Sequence, residues 1–89
     1  MRLAAIAAAL ATAAWTAPSA AQAPNGEAAY RDACASCHRT PTRFMRRYLD
    51  MAPQQRQTEL YRILAGHYAP DEALRGAIIS WLEANHTRR

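Results

Sequence analysis

Lysine is missing from this 89-residue chain, and all eleven of its basic side chains are arginine. That usage, beside abundant alanine, reflects genomic base composition more than chemistry. No basic stretch is interleaved with stacking aromatics, so a nucleic-acid surface is not indicated. No segment alternates apolar and polar residues in the way a strand does, which argues against a sheet. Internal repeats are absent, and low complexity is confined to an alanine-rich stretch at the start. Cysteine occurs only twice, so any chemistry it carries is concentrated at one place.

Met1-Arg2 opens the chain, an apolar run from Leu3 to Ala17 broken only by Thr12 and Thr16 comes next, and Pro18-Ser19-Ala20-Ala21 closes the segment. A positive start, an apolar run and small residues at the end make a secretory signal peptide. Cleavage is expected after Ala21; a cut after Ala23 is the alternative and would leave Pro24 beside the broken bond. A retained membrane anchor competes, but the run is short for a span and mostly alanine. A lipid anchor would need a cysteine at the cleavage point, and none is there. The organisation is therefore 1–21 as signal peptide and 22–89 as one domain. Export implies an oxidising compartment, the periplasm in a Gram-negative bacterium. Removing 21 residues leaves 68, with ten arginines against seven acidic residues, a charge of +3 with neutral histidine. So small a domain buries little apolar surface and generally needs a staple or a metal.

Cys34-Ala35-Ser36-Cys37-His38 meets that need. CxxCH is the attachment signature of a c-type haem. Two thiols three positions apart can each add to a vinyl group on one porphyrin edge, and the next residue presents an imidazole to the iron. Cys34 and Cys37 are thus the expected thioether positions, and His38 the proximal iron ligand, of one covalent haem c per chain. The haem would be structural as well as functional, leaving the apo chain weakly folded. A simple disulfide and a thiol-redox CxxC are competing readings, the latter needing a strand before the motif. A zinc-binding domain using Cys34, Cys37 and two histidines is a remote one.

Four short helices are expected in an all-α fold. The first covers about Gly26 to Cys37, with Asn25 as N-cap and Glu27 in its first turn. The second is announced by Thr40-Pro41, carries Phe44, Met45, Tyr48 and Leu49 on one stripe, and ends at Met51-Ala52-Pro53. The third runs from about Pro53 to Ala65 with Leu60, Tyr61, Ile63 and Leu64 inward and Gly66 as its stop. The fourth runs from Pro70 to about Ala84, with Leu74, Ala77, Ile78, Trp81 and Leu82 at helical spacing.

The haem motif at the end of an N-terminal helix, Gly26 and Tyr30 on that helix, and Trp81 on a C-terminal amphipathic helix resemble a small class I-type monohaem cytochrome c. The resemblance spans about Gly26 to Asn85. It implies a cytochrome c-like fold, about four helices wrapped around one covalent haem, with the first and last helices crossing closely at Gly26, Tyr30 and Trp81. Two departures stand out. The family's Gly-Pro-x-Leu segment, whose proline carbonyl orients the proximal histidine, is absent, so the acceptor for the His38 ring is open. The family's methionine before the last helix is also absent, and Gly66-His67-Tyr68-Ala69-Pro70-Asp71 stands there instead.

His67 lies three, four and seven residues after Leu64, Ile63 and Leu60, so it continues the apolar face of the third helix. Leu64-x-x-His67-Tyr68-Ala69-Pro70-Asp71, followed by Ile78-Ile79-Ser80-Trp81-Leu82, is also similar to a group of short periplasmic cytochromes in which a histidine at this place is a ligand. His67 is the leading distal candidate and Met51 the alternative; Met45, His86 or an open iron stand behind them. A cation at a helix C-terminus is the plainer reading of His67. Arg39, Arg43, Arg46 and Arg47 suit a haem propionate, an acidic partner or a solvated helix face. Two strong axial ligands would leave the iron only its oxidation state to change. The expected function is therefore periplasmic electron transfer between redox protein partners, at a lower potential than a His/Met cytochrome has. A gas- or ligand-binding sensor with a labile distal ligand is the alternative, and an enzyme is not expected because no acid–base pair lies near the motif. Amino-terminal sequencing of the exported protein should begin at Gln22; a start at Met1 would show that the segment is retained.

Overall fold

A computed structural model of the chain describes residues 24–88, so the expected signal peptide lies outside the described residues. Among those residues every regular element is helical and no strand occurs. In chain order they are α1 (Gly26–Ala33), α2 (Pro41–Met45) continued by a 3-10 turn (Arg46–Tyr48), α3 (Pro53–Ala65) and α4 (Glu72–Asn85). None of these helices is long and apolar enough to cross a membrane.

α1 starts where Asn25 Oδ1 accepts the Ala28 N–H at 3.0 Å. Gly26, its first residue, lies against α4: a Cβ there would overlap the Ala77 carbonyl oxygen and stand 2.6 Å from Trp81 Cβ. Only a residue without Cβ lets the two backbones come so near. One turn on, the Tyr30 ring packs 5.4 Å from Trp81 and meets Phe44 edge-on at 6.3 Å. The first and last helices therefore cross at the three residues expected of them. α1 ends at Ala33 and not at Cys37. Its last carbonyl bonds are the reason: Cys34 N–H and Ala35 N–H both donate to the Tyr30 carbonyl, which breaks the i→i−4 ladder. The Cys34 carbonyl then accepts from the Cys37 and His38 N–H groups, closing the CxxCH segment into turns of its own.

α3 has the expected span. Ala52 is extended at ψ 144, as a residue before proline must be, and Pro53 fills the first helical position. Its inward stripe is Arg56, Leu60 and Leu64, all buried. Arg56 donates two hydrogen bonds to the Glu83 carboxylate, at 2.5 and 2.6 Å, and a third to the Met51 carbonyl at 3.2 Å. This paired charge joins α3 to α4 beside a core of Met45, Leu60, Leu64, Ile78, Ile79 and Leu82.

α3 stops at Ala65 with Gly66 as its cap, as expected, although Gly66 has an ordinary negative φ and the left-handed residue of the turn is Tyr68, at φ 62. The Gly66 and His67 N–H groups donate to the Ile63 and Leu64 carbonyls, and the Ala69 N–H closes back on the Leu64 carbonyl at 3.2 Å. Two expectations for α4 need correction. α4 begins at Glu72 because the Asp71 carboxylate caps it, accepting the Leu74 N–H at 2.9 Å. Leu74, expected inside, is 42% exposed. Gly26 faces Ala77, so α1 starts too late to cover the turn that holds Leu74.

Gly26→Ala should lower unfolding free energy by about 1–3 kcal/mol through overpacking at the crossing. Gly66→Ala, where a Cβ meets nothing within 4 Å, should change it little. Urea titrations of the two variants check this difference.

Candidate functional site

The turn after α1, the α2 segment and the end of α3 enclose a cleft of about 650 Å³. That is within the usual range for a small-molecule site. His38 and His67 both line it. Their ring centres are 6.4 Å apart, with planes 59° to one another. Two imidazoles that share one metal ion, each with a nitrogen about 2 Å from it, have ring centres roughly 6 Å apart.

The surroundings divide by character. Phe44, Ile63 and Leu64 make the apolar part of the lining, and Arg39, Arg43 and Arg47 bring positive charge to it. Phe44 meets the His38 ring edge-on at 5.0 Å, which sets one side of that imidazole. Tyr68 does the same for His67, edge-on at 4.9 Å. The turn carrying His67 is stapled to α4 by Arg75, which donates to the Ala69 and Pro70 carbonyls at 3.1 and 3.0 Å. The Arg75 guanidinium also lies 4.7 Å over the Tyr61 ring.

Cys37 is exposed and lines the cleft, whereas Cys34 is buried in the core cluster and does not line it. The two thiols are not joined. Burial pushes the Cys34 thiol above its ordinary value. The thiol-redox reading finds no strand among the described residues on which to build its sheet. Nor does a group of three or more His, Cys, Asp or Glu able to hold a metal ion form among them, so the four-ligand zinc site is not assembled.

The other candidate ligands lie elsewhere. Met45 is fully buried in the core. Met51 does not line the cleft, and its carbonyl is taken by Arg56. His86 is half-buried: its Nδ1 is 2.8 Å from the Thr42 hydroxyl and its ring lies 4.6 Å from Trp81. Only His67 shares the cleft with His38.

Tyr30 has a part at this site that its place in the helix crossing did not reveal. Its hydroxyl donates to the His38 carbonyl at 2.5 Å, and the residue is only 2% exposed. Burial first, and the neighbouring Cys34 second, push its phenol up to about 12. The sequence pattern did not mark that hydroxyl, since ring packing alone accounts for a tyrosine at this place. Comparison with protein-family models, curated proteins and solved structures found no match to this chain.

The Tyr30 phenol sets an alkaline limit. The folded chain keeps its proton to about pH 12, while the unfolded chain releases it near the ordinary tyrosine value of 10.0. Stability from the buried neutral phenol is thus complete below pH 10 and is lost as pH rises through 10 towards 12. A phenolate absorbance titration should show one of the four tyrosines ionising late, together with loss of helix. Tyr30→Phe should remove that late component.

Proposed function

We propose that this chain is a small c-type cytochrome: an exported electron carrier with a cytochrome c-like fold around one haem. Cys34 and Cys37 would hold the haem by thioether links, and His38 and His67 would ligate its iron. One observation carries the reading. The imidazole that comes directly after the CxxC pair faces a second imidazole 6.4 Å away across one cleft. The donor set supports it as well. Cys37 lines the same cleft and brings one thiol of the motif beside both imidazoles.

When bound, the haem supplies a one-electron change at iron. The chain's residues supply the rest. Ile63, Leu64 and Phe44 keep water from one side of the cleft, and Arg39, Arg43 and Arg47 provide the positive charge that carboxylate-bearing groups favour. With His38 and His67 both as ligands the iron would have no place for a substrate, and the role would be a carrier's, exchanging electrons with redox protein partners. Without a methionine sulfur the potential is lower than that of a His/Met centre. A second reading has one observation in its favour. His67 is exposed and sits on a turn with a left-handed residue, which suits a displaceable ligand and hence small-molecule binding.

Expression with export in a host that matures c-type cytochromes should give a red protein whose mass exceeds the polypeptide's by one haem. Low-temperature EPR of the oxidised form should show a low-spin bis-imidazole signal that His67→Ala abolishes and Met51→Ala leaves intact. Carbon monoxide should leave the reduced spectrum unchanged; a rapid shift would favour the ligand-binding reading. Colourless protein of bare peptide mass would overturn the proposal.

A further inference from the structure

We infer that Tyr30 is a positioning residue for His38, setting the aim of that imidazole from the far end of α1. The inference rests on the haem reading and adds to it a residue outside the CxxCH motif.

The His38 peptide is held at both ends. Its N–H donates to the Cys34 carbonyl at 2.8 Å, inside the motif. Its carbonyl accepts the Tyr30 hydroxyl at 2.5 Å, from outside it. With both backbone groups fixed, the direction in which the side chain leaves Cα is fixed too. The ring is then set by Phe44, 5.0 Å away and edge-on, and Phe44 itself packs edge-on against the Tyr30 ring at 6.3 Å. Tyr30 therefore acts on His38 along two routes, through its hydroxyl to the backbone and through its ring to Phe44.

The anchor is firm because Tyr30 cannot move by itself. It is 2% exposed, and its ring is held between Trp81 and Phe44. Behind it, Gly26 fixes α1 against Ala77 and Trp81 on α4. A motif whose residues 34–37 lie in turns beyond the end of the helix has little stiffness of its own, and the hydroxyl ties it to the most closely packed helix pair of the fold. The proximal ring is thereby referred to the α1–α4 crossing.

Tyr30→Phe keeps the ring and removes only the hydroxyl; Ile79→Val takes one methyl from the buried core and leaves Tyr30, Phe44, Trp81 and His38 as they are. Both holoproteins should be made with haem attached and compared with wild type. Tyr30→Phe should broaden or split the low-spin EPR signal and shift the midpoint potential. It should also speed exchange of the His38 amide by roughly fivefold, the worth of one lost hydrogen bond. Ile79→Val should lower the thermal midpoint while leaving the EPR signal and the potential unchanged. Wild-type EPR, potential and exchange in Tyr30→Phe would overturn the inference, as would equal spectral changes in Ile79→Val. A wild type that carries no haem would overturn the haem reading and this inference together, whereas a haem-loaded Tyr30→Phe with unaltered spectra would overturn this inference alone.

Discussion

At Gly26 the backbone of α1 meets Ala77 and Trp81 with no room for a side chain between them. A hydrogen atom in place of a methyl decides how near α1 lies to α4, and that spacing governs the reach of every side chain further along α1. Tyr30 reaches Trp81 only at this separation, and from there it reaches the His38 carbonyl. The CxxCH motif is thus hung from a helix pair fixed by the smallest side chain available. A domain with so small a buried core has little redundancy, and one steric requirement carries much of its geometry.

The opposite half of the molecule is organised by charge. Arg56 and Glu83 meet through two hydrogen bonds with side chains only 7% and 15% exposed. A buried pair of this kind specifies an arrangement more than it adds stability, because removing both charges from water offsets much of their attraction. Here it fixes how α3 lies along α4. That orientation, with Arg75 holding the turn beyond α3, brings His67 to the cleft. One histidine is therefore positioned by steric closeness and the other by ionic and backbone hydrogen bonds, and the cleft exists where the two arrangements meet.

Helix starts were legible because their signals are local. Asn25, Thr40-Pro41 and Ala52-Pro53 act on their own neighbours, and each stands where the chain pattern put it. Helix ends were less legible. α1 stops because one carbonyl serves two donors, and the turn after α3 uses Tyr68 although Gly66 is nearby; both depend on where the next segment must go. Of the site, the motif and the apolar spacing of His67 could be read directly. Arg56 could not, since an arginine in a helix reads as a solvent-facing residue until a carboxylate 27 positions away is seen beside it. The Tyr30 hydroxyl was hidden for the same reason: packing explains the ring completely, and nothing in the chain pattern points to the oxygen.

Tyr68 holds φ at 62 with its ring largely in solvent, in a region that costs a non-glycine residue about 1–2 kcal/mol. The exposed ring recovers little of that by burial, so its visible return is the edge-on contact with His67. The strain offsets part of what the Ala69 and Arg75 hydrogen bonds contribute to this turn, so the His67 side of the cleft is held with less net stability than its bonds alone would give.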